Sequence, residues 1–123
     1  MADDSEQKIT IATSDTGQSV LTQLTEAKVF KEEMDAYRFA IGLGLVLNKR
    51  TSLSNRKTKF NIGSFDKDRT VASLIAALMP EAAGDPYRAA EELAETGFAK
   101  MLPTVSRGEF RFSDWFDMAK TKK

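Results

Sequence analysis

The chain has 123 residues, 41% of them hydrophobic, with 18 basic and 18 acidic residues. This length and composition fit one small domain with a single modest core and argue against wholesale disorder. Because it has neither Cys nor His, the chain has no disulfides and lacks the commonest zinc ligands and the usual acid or base at neutral pH.

No apolar run approaches the roughly 20 residues that cross a bilayer. The acidic start, Met1 to Glu6, lacks the basic and apolar regions of a signal peptide. We therefore expect a cytoplasmic protein without membrane contact, and we expect no cofactor, no metal and no enzymatic activity.

The first predicted element is a short strand over Lys8 to Thr13 (KITIAT), which follows a disordered N-terminus at residues 1–7. Polar and apolar residues alternate along it, as in a half-buried strand. Ile9 and Ile11 would lie on one side of this strand, and Lys8, Thr10 and Ala12 would lie on the other. The first helix is predicted to begin near Thr16, with Asp15 as its N-cap and Gln18 as the capping-box partner.

A second helix is predicted from about Lys31 to Asn48, and it is apolar almost all round. Such a helix needs cover on several sides, which favours a homodimer, although burial within one monomer remains the alternative. Close approach of another backbone would explain Gly42 and Gly44 in its interior. The expected dimer interface consists of Ile9, Ile11, Tyr37, Ile41 and Leu45.

Beyond residue 50 the sequence predicts a basic loop at 51–66, a helical part at 67–118 and a basic tail at 119–123. An extended piece is predicted over Phe60 to Phe65. The helical part would contain one helix from Arg69 to Met79, another from Pro86 to Leu102 that stops before Pro103, and a closing helix. The aromatic residues of that closing helix are expected in the core: Phe110, Phe112, Trp115 and Phe116.

Residues 8–50, a strand followed by two helices, resemble the ribbon-helix-helix module of small DNA-binding dimers. In that family the strands of two chains pair into a ribbon that enters the major groove, and the start of the second helix meets phosphates. Glu32 and Glu33 at this start would repel phosphates. The resemblance and the basic run Asn48 to Phe60, which contains no acid, predict contacts to duplex DNA from Lys8, Thr10, Lys31, Lys49, Arg50, Arg56, Lys57 and Lys59. A solvated loop is the alternative interpretation of the run.

Two further segments, Val29 to Arg50 (VFKEEMDAYRFAIGLGLVLNKR) and Tyr87 to Leu102 (YRAAEELAETGFAKML), are similar to small proteins of bacterial DNA sulfur-modification systems. This resemblance implies an accessory role in DNA modification or defence and supplies no catalytic residues. Asp66 and Asp68 are typical of helix caps, although two neighbouring acids also occur in the metal sites of nucleases.

The sequence therefore predicts a mainly α single domain with a strand-helix-helix N-terminal half and a helical C-terminal half. The leading hypothesis is a DNA-binding regulatory or accessory protein that acts as a dimer. The alternative is a non-catalytic adaptor that binds a protein partner within a larger complex.

Overall fold

The computed structural model describes residues 10–110 and residue 115. In chain order the elements are β1 (Thr10–Thr13), α1 (Asp15–Glu26), α2 (Glu33–Leu47), β2 (Lys57–Asn61), the single turn α3 (Ile62–Phe65), α4 (Thr70–Leu78), a 3-10 turn (Pro80–Ala82) and α5 (Pro86–Ser106). The prediction of a mainly helical chain is confirmed. No helix among these residues combines the length and the apolar character that crossing a bilayer would require.

Helix α5 is the centre of the fold and contacts α1, α2, α4 and β1. Its buried residues include Ala90, Leu93, Ala94 and Phe98, which recur at helical spacing and face the other elements. Its main contact is with α2. Much of the apolar surface of α2 is therefore covered by its own chain.

Small residues bring the backbones of α2 and α5 close together. A Cβ atom on Gly44 would overlap the backbone of Leu93, and one on Gly97 would overlap the backbone of Ala40. The predicted close approach is thus confirmed for Gly44, and the approaching backbone belongs to the same chain. At Gly42 a Cβ would meet nothing within 4 Å, so close packing does not explain that glycine.

The two strands form an antiparallel sheet in which Ile11 lies opposite Phe60 and Ala12 lies opposite Thr58, with a bulge between Ile11 and Ala12. The resemblance to the ribbon-helix-helix module predicts that β1 pairs with the same strand of a second copy. In the structure its partner is β2, a segment that the sequence analysis had assigned to the basic loop and to an extended piece starting at Phe60. The strand pairing therefore differs from the predicted ribbon.

The backbone of Ala12 is also bound by two side chains. Its N–H donates to Oε2 of Glu91 on α5 at 2.8 Å, and its carbonyl accepts from the hydroxyl of Tyr37 on α2 at 2.5 Å. Ala12 is only 2% exposed, although it was predicted on the outward side of the strand with Thr10, which is half-buried. These backbone groups are therefore not available to a second strand.

Helix α1 is capped one residue earlier than predicted. The hydroxyl of Ser14 accepts the N–H of Gly17 at 3.0 Å, which satisfies a donor at the helix start. Asp15, the predicted cap, instead binds Asn55 at 2.7 Å and Lys57 at 3.2 Å. Asp15 was predicted as the cap because its partners, Asn55 and Lys57, come from a distant part of the chain and are not apparent from the local sequence.

Helix α5 continues past Pro103 to Ser106, contrary to the predicted end before this proline. A proline inside a helix costs about 3 kcal/mol, because it lacks an N–H and its ring crowds the preceding turn. Packing holds the last turn nonetheless, since Val105 is buried and the indole N–H of Trp115 donates to the Thr104 hydroxyl at 2.6 Å. Trp115 is buried as expected, and the other residues predicted for the closing helix after Phe110 lie outside the described residues.

Candidate nucleic-acid interface

The first part of the basic run is bound along α5. The guanidinium Nε of Arg50 donates to Oε1 of Glu92 at 2.8 Å, and the N–H of Thr51 donates to the backbone carbonyl of Glu92 at 3.1 Å. The hydroxyls of Thr51 and Thr96 lie 2.7 Å apart and share a hydrogen bond. Residues 49–56, called the strap below, are thus attached to the central helix.

At the end of the strap, Arg56 neutralises a buried acid. Its Nε and Nη2 donate to the two carboxylate oxygens of Glu91 at 2.9 and 2.7 Å, a two-point pairing that fixes both groups. Glu91 is only 2% exposed, and a buried carboxylate needs such partners. These hydrogen bonds with Glu91 raise the pKa of Arg56, against the opposing effect of burial. Arg56 therefore has a structural role as the partner of a buried acid.

The two lysines of β2 also have acidic partners. Lys57 lies 3.2 Å from Asp15, and Lys59 lies 2.6 Å from Glu33. Burial raises the pKa of Glu33, but the hydrogen bonds from Lys59 and Gln18 and the charge of Lys59 outweigh it, so the pKa lies below its usual value. Of the five bases in the run, four are thus paired with acids of the same chain, which compensates much of the positive charge of the run.

The remaining predicted DNA contacts do not form one cluster. Lys31 and Lys49 are exposed, and neither has an ion pair within residues 10–110. They flank opposite ends of α2, a helix whose 15 residues span about 22 Å. Thr10 lines a cleft together with Arg56, and Lys8 lies outside the described residues.

The connection between α1 and α2 brings Lys31 close to a lysine that sequence reasoning missed. Lys28 and Lys31 line a cleft of about 300 Å³ with Thr25 and Phe30, and Lys28 is likewise exposed without an ion pair in the described part of the chain. Glu32, the N-cap of α2, makes no side-chain capping hydrogen bond. The first N–H groups of α2 therefore have no side-chain cap from Glu32, and Lys31 directly precedes this helix start in the chain.

The residues predicted to form the dimer interface are mostly interior to the chain. Ile11 and Tyr37 are fully buried, and Ile41 is 3% exposed. Leu45 is half-buried, and Ile9 lies outside the described residues. Three rings of the same chain contact Tyr37 edge-on, with centroids 5.3 to 5.6 Å away: Phe60, Phe65 and Phe98. Elements of the chain itself thus supply the cover that was assigned to a second copy.

Two buried acids on α5 were also missed. Glu95 follows Glu91 by one helical turn, is 8% exposed and accepts a hydrogen bond of 2.6 Å from the Ser14 hydroxyl. Burial raises the pKa of Glu95, and the bond from Ser14 opposes the shift. A signal was present in the sequence, because Glu91 and Glu95 lie at helical spacing from Phe98, on the apolar stripe.

Asp66 and Asp68 serve the start of α4, in agreement with their interpretation as caps. The carboxylate of Asp66 accepts the N–H groups of Val71 and Ala72 at 2.9 and 3.0 Å, and Asp68 accepts that of Thr70 at 3.2 Å. The hydroxyl of Tyr87 also donates to Asp66, at 2.7 Å. Burial, followed by this bond, raises the pKa of Tyr87 to about 12. Among residues 10–110 and 115, no three metal-binding side chains converge on a point.

Comparison of the chain with protein-family models, with curated proteins and with solved structures gave no match. The contacts and charges described above are therefore the basis on which a function is proposed. Among the described residues, exposed basic groups line the cleft at Lys28 and Lys31, the cleft at Arg38 and Lys67, and the cleft at Arg56 and Arg88, where the strap meets α5.

Proposed function

We propose that this protein binds duplex DNA as a non-catalytic accessory or regulatory protein, with phosphate contacts at the connection between α1 and α2. The observation that carries the proposal is the cleft lined by the exposed Lys28 and Lys31, in the connection that leads directly into the uncapped start of α2. Ammonium groups and the N–H groups of a helix start are donors that backbone phosphates accept. The proposed phosphate contacts thus lie at the start of the second helix, whereas the sequence predicted most of them in the basic run.

The acids at this helix start oppose an anion less than their number suggests. Glu33 is bound by Lys59 at 2.6 Å, and Asp35 lies 3.3 Å from Arg38. Glu32 is then the one acid in the first turn without an ion pair in the described residues. Much of the repulsion expected from the sequence is therefore compensated within the chain.

The resemblance of residues 29–50 and 87–102 to small proteins of DNA sulfur-modification systems supports an accessory role in DNA modification or defence. Phosphate contacts position a protein on DNA without reading its sequence, which suits a role beside a separate enzyme. A homodimer is part of the proposal. Its contacts would use surface side chains, because Tyr37 and Ile41 lie in the interior.

Fluorescence anisotropy with a labelled duplex at several salt concentrations tests this proposal. Each lysine that neutralises a phosphate contributes about one unit to the slope of log affinity against log salt. We expect Lys28→Gln and Lys31→Gln each to reduce the slope by about that amount. Lys57→Gln is the matched control, since Lys57 is 64% exposed but paired with Asp15. Absence of binding at low salt, or equal effects of all three variants, would contradict the proposal.

A second candidate function is that of a protein-interaction adaptor, and helix α4 favours it. The nine residues of α4 include no charged side chain. Leu74 and Leu78 lie one turn apart on the same face and are 47% and 59% exposed. Apolar side chains grouped on an exposed face are typical of protein contact surfaces.

Light scattering separates a second copy from other partners of this face. If the wild type is a dimer and the double variant Leu74→Lys, Leu78→Lys is a monomer, a second copy covers α4. The matched control is Ser73→Lys, which adds a charge at an exposed position of the same helix. If the wild type and the variant with both leucines replaced are monomers, and neither that variant nor Ser73→Lys changes any measured association, the adaptor function loses its support.

A further inference from the structure

A cleft of about 200 Å³ lies where the end of the strap meets the start of α5. Two arginines, Arg56 and Arg88, line it together with Thr10 and Asp85. Since one water occupies about 30 Å³ of liquid volume, the cleft has room for a small oxyanion. The sequence analysis did not identify Arg88, because Arg56 and Arg88 come together only in the folded chain.

A buried carboxylate forms ion pairs with both guanidinium groups. Arg56 pairs with both oxygens of Glu91, and the Nε of Arg88, one helical turn before Glu91, lies 3.6 Å from Oε1. The pairing of Arg56 uses its Nε and one terminal nitrogen, so N–H donors remain on both guanidinium groups. The two-point pairing thus fixes the position of Arg56 before any ligand arrives, which lowers the entropy cost of binding.

An entering ligand would meet the arginines before it met Glu91. The side chains of Arg56 and Arg88 are 44% and 51% exposed, whereas that of Glu91 is 2% exposed. Asp85 is the accessible acid among the residues that line the cleft, and its carboxylate accepts the N–H of Arg88 at 3.2 Å as the cap of α5. The cleft therefore offers two guanidinium groups to an anion, opposed by the carboxylate of Asp85 at its rim and by the buried carboxylate of Glu91.

We infer that this cleft binds a phosphate-class oxyanion between Arg56 and Arg88. The planar guanidinium group presents paired N–H donors that match the oxygens of phosphate. The anion is either free phosphate or a backbone phosphate of DNA. Only the second source rests on the proposed function.

Titration of the full chain with inorganic phosphate, followed by NMR of the backbone amides, tests the site. We expect saturable shifts around Arg56 and Arg88 that chloride at equal ionic strength does not produce. Arg88→Gln should weaken phosphate binding about tenfold or more, because one of the two guanidinium groups is lost. Arg88→Gln leaves the pairing of Arg56 with Glu91 intact, so the fold should persist.

Two further variants sharpen the test. Asp85→Asn should tighten phosphate binding, because it removes the exposed one of the two opposing carboxylates while asparagine still caps the helix. Arg107→Gln, an exposed arginine paired with Glu109, should leave binding unchanged. The site is disproved by the absence of saturable shifts in the wild type, or by equal titrations of the wild type and Arg88→Gln.

Salt-dependent DNA binding by Arg88→Gln then identifies the source of the anion. A slope reduced by about one unit assigns the site to a DNA phosphate, whereas an unchanged slope with loss of phosphate binding assigns it to the free anion. Phosphate binding without DNA binding would overturn the proposed function and leave the site intact. DNA binding that depends on Lys28 and Lys31, without phosphate binding at Arg88, would overturn the site alone.

Discussion

The hydroxyl of Tyr37 on α2 donates a buried hydrogen bond of 2.5 Å to the carbonyl of Ala12 in β1. The two residues are 25 positions apart, and the bond joins the first strand to the helix that packs against α5. Because Tyr37 is fully buried and Ala12 is 2% exposed, water cannot replace this bond.

We expect Tyr37→Phe to lower the free energy of unfolding by about 1 to 3 kcal/mol, since the carbonyl of Ala12 would be left buried without a donor. Urea denaturation followed by circular dichroism measures the change. Tyr37→Leu should cost more, because it also removes the ring contacts with three phenylalanines. A phenylalanine variant as stable as the wild type would show that the bond contributes nothing.

The basic run should contain one structurally essential base. Arg56→Met leaves the buried Glu91 without its two-point partner, with the N–H of Ala12 and the guanidinium of Arg88 at 3.6 Å still in place, and we expect a loss of about 3 kcal/mol of unfolding free energy. Lys57→Met, one position later, breaks a pair whose side chains are 64% and 67% exposed, and should cost less than about 1 kcal/mol. Chemical denaturation of the two variants compares them directly. Similar losses would contradict the structural role of Arg56 as the partner of Glu91.

A double variant separates the ion pair from the rest of the Arg56 contacts. We expect Arg56→Met with Glu91→Gln to be more stable than Arg56→Met alone, because the buried charge has been removed. The same urea titration provides the test. If the double variant is the less stable of the two, Glu91 does not carry an uncompensated charge in Arg56→Met.

Three helical glycines should respond differently to the same substitution. Gly42→Ala should raise the unfolding free energy by up to about 1 kcal/mol, since the added Cβ meets nothing within 4 Å and alanine favours helix. Gly44→Ala and Gly97→Ala should lower it, because the Cβ would overlap the backbone of the facing helix. Thermal melts monitored by circular dichroism can rank the three variants. Equal behaviour would mean that the two helices do not approach closely.

The buried carboxyl of Glu95 should make stability depend on pH. Burial raises the pKa of Glu95 in the folded chain, with the Ser14 bond opposing, so the folded state binds the proton more tightly than the unfolded state. Unfolding free energy must then fall as pH rises from the ordinary glutamate range through the folded pKa. Glu95→Gln lacks this loss, so its advantage over the wild type should grow across that range, by about 1.4 kcal/mol per unit of pKa difference.

Denaturation of the wild type and Glu95→Gln at intervals from about pH 4 to pH 8 measures this dependence. Glu26→Gln, at an exposed position of α1, is the control variant. An advantage of Glu95→Gln that stays constant with pH would show that the carboxyl keeps the same pKa in the folded and unfolded states.

Local patterns located most helices because burial on one side of a helix repeats at short spacing. Helices α2 and α4 were predicted within two residues of their observed ends. The partner of β1 was not predicted, since β2 follows it by more than 40 residues and its sequence, KTKFN, resembles a basic loop. Strand pairing of this kind depends on contacts that no local pattern contains.

The candidate site also depends on contacts between residues far apart in the chain, which the sequence alone does not reveal. The basic run was visible in the sequence, but its acidic partners were not, because they lie between 35 and 42 positions away for Arg56 and Arg50. Ion pairing across such separations decides whether a basic segment is free to bind phosphate. Lys28 and Lys31, in contrast, were visible as two lysines between helices but were not recognised as a pair.

The hydrogen bond from Ala12 to Glu91 has a consequence for the order in which the protein can fold during synthesis. Glu91 is added to the chain 79 residues after Ala12. At the usual rates of translation this separation corresponds to a delay of roughly 4 to 16 s. Until then the first strand lacks its partner on α5, and the apolar residues of α2 lack their main cover. A nascent chain halted before residue 91 should therefore expose apolar surface and bind chaperones that recognise it.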